Sequence, residues 1–371
     1  MRILHIEAGR HLYGGAAQVR YLIDGLAAAG VDNVLVCPPG SALAAEPPAA
    51  RVAPVAMHGE LDLGLLPRLV RLVRAEHPDL VHVHSRRGAD LFGGLAAAIA
   101  GVPAVLTRRV DAGEPRWLAR LKYGPYAAVV VLSRAIEAQL TAAGVDDARL
   151  VRIPSAVDTG RYRPEPAARE RVLSAFGLPD NALVVAVVAQ LIERKGHARL
   201  LAVLPELARA EPRMRVLCFG RGPLEQRLAR EIDARGLAEI VTLAGFRTDL
   251  PRLMPGFDLV VHPAEREGLG LALLEAAAAG VPVVACAAGG VPEVVENGVT
   301  GALVPVGDAA ALRAAVGRLL AAPDERARLG AAARVRAERR FGVPGMVAAH
   351  VSLYERVLGE RAVRVARPVS R

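Results

Sequence analysis

The sequence predicts an α/β chain built on two parallel sheets, each covered by helices on both faces. Three observations predict it. Short Val-rich runs alternate with amphipathic stretches from end to end, and strands buried on both faces read as such continuous apolar runs. Hydrophobic content is 53% but aromatic content only 4%, so the core must be built from Ala, Val and Leu. The 371 residues exceed one ordinary domain, and the alternation breaks once near the middle, in a Pro- and Arg-rich stretch.

The elements follow in order. "RILHIE" is a β-branched apolar run with a charge on each side, a first strand rather than a signal peptide. "NVLVC", "LVHVH", "PAVLT" and "AAVVVLS" read as further strands. Between them, 15–29, 65–76, 88–100 and 134–143 repeat apolar residues at helical spacing. "IPSAVDTGRYRPEPAARE" reads as a connector. Beyond it, "ALVVAVVAQL", "RVLCFG", "IVTLAG", "DLVVHP" and "VPVVACAA" are strands, with helices over 197–210, 223–235, 269–279 and 309–321. Residues 324–340 and 344–358 are helical, Pro344 opening the second. The domains expected are 1–160, a linker at 161–181, 182–343, and a C-terminal helix with a basic tail at 344–371 that packs back on the first domain.

Composition removes several function classes. No run of about 18 apolar residues occurs, so no transmembrane helix is expected. Cys37, Cys218 and Cys286 each lie in a Val-rich run and read as small buried hydrophobes. The formal charge is +9, and residues 327–371 alone hold ten arginines against Glu338, Glu355 and Glu360. Without interleaved aromatics this is not a nucleic-acid surface. An anionic membrane surface is the better partner, joined by Trp117 with Arg116, Arg120 and Lys122 on one short amphipathic stretch.

"EREGLGLALLE" carries the chemistry. In open parallel sheets ligands bind beyond the carboxyl ends of strands. Here a strand ends near Pro263 and a helix is expected from Gly268 or Leu269, with backbone N–H groups at its positive end suited to phosphate. Glu267 stands at that mouth and Glu275 two turns on, roughly 12 Å along a helix at about 1.5 Å per residue. An elongated nucleotide sugar fits: diphosphate on the amides of Gly268, Leu269, Gly270 and Leu271, sugar near Glu267, ribose diol at Glu275. His82 and His84 share one face of a strand end, but a metal needs a third ligand, and none is evident. "GRGP" at 220–223 has Glu225 where a dinucleotide fingerprint needs its third glycine.

"EGLGLALLEAAAAGVPVVACAAGGVPEVV" closely resembles the donor-site signature of family 4 glycosyltransferases, retaining enzymes of the GT-B fold. "IPSAVDTGRYRP", "FGRGPLEQRL", "FDLVVHPAEREG" and "ENGVTGALVPVGD" follow in family order, so the resemblance covers nearly the whole chain. It departs at Ser155-Ala156, where the family usually has Asn-Gly. The resemblance implies two facing Rossmann-like domains with a cleft, the first for the acceptor and the second for the donor. It implies Lys195 on the donor diphosphate, with Gln190 where the family commonly has an Arg. It places Gly14 and Gly15 in a loop facing donor phosphates and acceptor, and His84 near the reacting sugar. Arg108 and Arg109 follow a strand where many relatives have a histidine, and are read as acceptor-binding. The implied enzyme is of cell-envelope or lipopolysaccharide type. It uses a nucleotide diphosphate sugar donor and a glycan or glycolipid acceptor, with no metal and no cofactor. It works in the cytoplasm or on the inner face of the cytoplasmic membrane. Two alternatives stay open: a GT-B nucleotide-sugar epimerase or hydrolase, and a non-catalytic sugar-nucleotide-binding relative.

Overall fold

The structure, a computed structural model, describes residues 1–85 and 88–366, with side chains described to Glu360. The chain forms two compact units, Met1–Ala156 with the segment from Val343 onward, and Val157–Gly342.

The first unit holds a seven-stranded sheet. Its strands are β1 (Arg2–Ile6), β2 (Asp32–Cys37), β3 (Arg51–Pro54), β4 (Leu80–Val83), β5 (Ala104–Arg108), β6 (Ala128–Val131) and β7 (Leu150–Arg152). Their spatial order is β3-β2-β1-β4-β5-β6-β7, and every pairing is parallel. The central strands are buried along nearly their whole length, as their Val- and Leu-rich sequences require. Sequence reading misses β3 and β7. Both are edge strands of three or four residues, half exposed, with no apolar run to announce them.

The second unit holds six parallel strands: β8 (Leu183–Val188), β9 (Met214–Phe219), β10 (Val241–Gly245), β11 (Leu259–His262), β12 (Val283–Cys286) and β13 (Ala302–Val304). Their order is β10-β9-β8-β11-β12-β13. In each sheet the strand order reverses beside the first strand, between β1 and β4 and between β8 and β11. Such reversal points open a crevice at the strand ends. Cys37, Cys218 and Cys286 are buried and unpaired.

One stretch differs from expectation. Residues 161–181, read as a connector, contain the helix Ala168–Phe176, which buries Ala168 and Val172 in the second unit. The division falls at 156/157 and at 342/343. After Gly342 the helix Val343–Ala366 belongs to the first unit, where it buries Met346, Val347, Leu353, Tyr354 and Val357 against Ile3, Leu22 and Leu26. Gly25 permits this approach, since a Cβ there would lie 2.3 Å from a methyl of Val347. The basic residues beyond 366 lie outside the described residues. Among the described residues no helix is long and apolar enough to cross a membrane.

Candidate active site

In the second unit the loops after β8 and β11 meet at the reversal point. Ala189 N–H donates to the Phe219 carbonyl at 3.0 Å and Leu191 N–H to that of Arg221 at 3.1 Å, which holds Gln190 between them, exposed. Glycine is required opposite: a Cβ on Gly220, whose φ is +144°, would lie 1.9 Å from the Ala189 carbonyl oxygen. This close approach, not a dinucleotide, accounts for "GRG". Arg221 turns its guanidinium over the Phe246 ring, 5.9 Å from its centroid. Farther on, Gly196 (φ +74°) presses against Pro263, and a Cβ there would lie 2.0 Å from the Pro263 oxygen. That contact brings Lys195, at the end of the turn Glu193–Lys195, to the mouth of β11.

There Lys195 forms an ion pair with Glu267 Oε2. His262 Nε2 lies 2.9 Å from the same oxygen, and Gly268 N–H donates to Oε1 at 3.1 Å. Burial alone would push the Glu267 carboxyl up. The His262 hydrogen bond and the Lys195 charge outweigh it and hold the group well below the usual carboxylate range. Burial pushes His262 down despite Glu267, so it is a neutral imidazole donating Nε2–H.

The helix expected over 269–279 runs from Leu271 to Ala278, because Gly270 takes a left-handed conformation (φ 100°) at its start. Glu267 therefore stands at the mouth as expected, on the loop before the helix, with Glu275 inside the helix. Gly268, Leu269 and Gly270 are buried, and no side chain caps the helix start. Of the four amides expected to cradle phosphate, that of Gly268 is already engaged by Glu267. Burial raises Glu275 to about 7, against the opposing effects of a Tyr162 hydrogen bond and the Arg161 charge.

In the first unit the corresponding crevice gathers histidines. His5 stands on β1 in register with His82 on β4, and His84 follows β4. The ring nitrogens of His5, His82 and His84 approach within 4.8 Å of one another, the one such metal-type grouping among the described residues. Thus the third imidazole, unseen in sequence, exists. Hydrogen bonds occupy these rings instead: His82 with Tyr354 Oη at 2.6 Å and Thr107 Oγ1 at 2.7 Å, His5 with His84 at 2.9 Å and Asn33 Oδ1 at 3.1 Å. Burial drives all three well down, His5 to about 4.

The helix Gly14–Ala28 begins at the glycine pair with no side-chain cap. The Arg109 side chain passes beside Gly15, where a Cβ would lie 3.7 Å from its Cδ. Arg108 departs from the expected acceptor role. It is buried, bonded to Glu114 at 3.1 Å and to the Ala112 carbonyl at 2.8 Å. Lys122 likewise leaves the expected surface cluster, paired internally with Asp90 at 2.6 Å and Glu114 at 2.7 Å. Sequence reasoning missed His5, Asn33, His262 and Tyr162. The available signal was a lone polar residue inside an aliphatic run, as in "RILHIE" and "DLVVHP".

A family model described as Glycosyltransferase Family 4 matches residues 13–161, and one described as Glycosyl transferases group 1 matches 169–336. The chain is 38% identical over 215 residues to the GDP-mannose-dependent alpha-(1-6)-phosphatidylinositol monomannoside mannosyltransferase of Mycolicibacterium smegmatis, covering 56% of each chain. It spans about half the length of the mannosyltransferase relatives it matches. It is 29% identical over 325 residues to the 2-deoxystreptamine glucosyltransferase of Streptomyces kanamyceticus, covering 80% of this chain and 82% of that protein. The solved structure of Anabaena HepE in complex with UDP and glucose shares the fold, with a TM-score of 0.85 at 24% identity over 96% of this chain and 99% of that one. Two family models in sequence order, each on its own Rossmann-like unit, lead to one conclusion: the chain belongs to the family 4 glycosyltransferases and has their GT-B fold.

Proposed function

We propose that the chain is a retaining hexosyltransferase that moves a sugar from a nucleoside diphosphate donor to an envelope glycan or glycolipid, without metal or cofactor. The observation that carries the reading is the Lys195–Glu267–His262 group beside the uncapped start of the helix Leu271–Ala278, at a strand-order reversal. In the free chain Glu267 holds the Lys195 ammonium. An arriving diphosphate settles on the remaining free amides and draws the Lys195 ammonium to itself, where the cation stabilises charge developing on the leaving group. Glu267, still fixed by His262 and the Gly268 amide, then has room at Oε2 to accept from a hydroxyl of the transferring sugar. Glu275 takes the ribose diol. Gln190 contributes an uncharged amide to the diphosphate. Gly14, Gly15, His84 and Arg109 serve the reacting sugar and acceptor. Retention follows from attack on the face the diphosphate leaves, with the departing phosphate taking the acceptor proton.

The mannosyl- and glucosyltransferase relatives support a hexosyl donor. The exposure of Trp117 and Leu121 beside Arg116 and Arg120 suits an anionic membrane surface, and with it a glycolipid acceptor. The test is thermal stabilisation by GDP-mannose, UDP-glucose and UDP-N-acetylglucosamine in chelator, followed by transfer to lipid extracts with the product anomer read by NMR. At least one donor should raise the unfolding midpoint. Failure of all three, or donor breakdown that is indifferent to acceptor, would refute the reading.

A further inference from the structure

Asn33 begins a chain of hydrogen bonds whose direction is set at its first link. Its Nδ2 donates to the Val31 carbonyl at 2.9 Å, and a carbonyl can only accept, so the atom facing His5 is Oδ1. His5 Nε2, 3.1 Å from that oxygen, must therefore carry the proton. A neutral imidazole has one N–H, so His5 Nδ1 is a lone pair. His84 Nε2, 2.9 Å away, donates to it. The same count leaves a lone pair on His84 Nδ1. Burial keeps both rings neutral, which makes the count hold.

The atom at the end of this chain, His84 Nδ1, is buried without a hydrogen-bond partner among the described residues. It presents a lone pair, and a hydroxyl satisfies it by donating its hydrogen. A metal ion is the poorer occupant, because His5 and His82 commit all four of their nitrogens to Asn33, His84, Tyr354 and Thr107.

We propose that Asn33 and His5 are positioning residues that lock His84 in its Nε2–H tautomer, so that His84 Nδ1 is held as a hydrogen-bond acceptor for a ligand hydroxyl in the first unit. The turnover prediction below rests on the sugar-transfer reading given above; the tautomer lock does not.

The experiment is NMR of protein labelled with 15N in histidine. Wild-type His84 should show an unprotonated Nδ1 and a protonated Nε2. Asn33→Leu should abolish this single tautomer, while His5→Gln, which offers an oxygen to His84 and an N–H to Asn33, should keep it. Wild-type His84 protonated at Nδ1, or an unchanged His84 in Asn33→Leu, overturns the lock. So does zinc retained through dialysis by the wild type and lost in His5→Gln. If the protein transfers no sugar, the proposed function fails on its own and the tautomer measurement still decides the lock. In turnover, Asn33→Leu should lower kcat about tenfold, the scale of one modest hydrogen bond, with UDP affinity unchanged. Lost UDP affinity instead would mark a merely structural role.

Discussion

Glu267 receives a lysine, an imidazole N–H and a backbone N–H, and is the most heavily bonded carboxylate in the second unit's crevice. Lys195 is the exchangeable member of that group. A positioned donor at developing negative charge is worth roughly 3–4 kcal/mol, or about 10²–10³ in rate. Lys195→Ala should therefore lower single-turnover transfer at least about a hundredfold, and Lys195→Arg should rescue it in part. With Arg221 stacked on Phe246 and Gln190 neutral, retention of more than a tenth of the rate would place the essential cation elsewhere. Glu275 adds a pH dependence. Its carboxyl is raised to about 7, so the proposed ribose contact has a fully ionised carboxylate only above neutrality. Affinity for UDP or GDP should rise with pH through neutrality, and Glu275→Gln should flatten that rise. The phosphate's own titration near 6 is common to both proteins. Parallel calorimetric profiles for the two would remove the ribose role.

At the scale of elements, the loop after β8 and the end of β11 touch where only glycine fits. Gly196→Ala would put a Cβ 2.0 Å from the Pro263 oxygen at a φ of +74°, beyond the cost of left-handed backbone alone. Such strain costs of order 1–3 kcal/mol, and relieving it must move Lys195 from Glu267. The variant should lose at least that much in denaturant unfolding, and an unchanged midpoint would contradict it. Strands β1, β4 and β11 and the helices His197–Ala210 and Val343–Ala366 together bury His5, His82, His262, His197 and His350, with His84 just beyond β4. Burial lowers all six, His5, His197 and His350 to about 4. The unfolded chain takes up protons near 6.5 that the folded chain excludes. Stability is therefore fully present above 6.5 and lost as the pH falls toward 4. Glu275 acts oppositely, since its folded state keeps a proton up to about 7, but it is one group against six. The thermal midpoint should fall on acidification below 6.5, and a flat or rising midpoint would be the contrary result.

For the whole molecule, the basic C-terminal region is divided between the two units. Residues up to Gly342 belong to the second unit and those from Val343 to the first. Arg334 and Arg336 are tied down, Arg334 to the Tyr162 carbonyl at 3.3 Å and Arg336 to the Glu293 carbonyl at 2.9 Å. The first unit offers a further candidate for a membrane-facing surface. There Trp117 is 69% exposed and Leu121 50%, on the helix Arg116–Tyr123. Exposed apolar side chains beside arginines suit an anionic interface, at about 1 kcal/mol per basic residue. Sedimentation with phosphatidylglycerol vesicles at low salt should carry the protein down, less so with Trp117→Ala or added salt. Equal sedimentation with neutral vesicles would end the idea.

What the sequence by itself determined was whatever repeats locally. A strand buried on both faces must be largely apolar, so ten of the strands declared themselves, and helical periodicity placed most of the helices between them. The glycine-rich donor-site signature likewise lies in one stretch of chain. Short edge strands such as β3, β7 and β13 carry no such pattern. Only the tertiary structure decided the partners of the site residues. Lys195 meets Glu267 across 72 positions and His5 meets His84 across 79. The same holds for Arg108, read as acceptor-binding, and Lys122, read as part of a surface cluster, which close on Glu114 inside the first unit. Strand order and register bring such groups together, and neither is encoded by the neighbours of any one residue. A charge or an imidazole shows its chemistry in sequence, but which atom faces it is a property of the packed sheet.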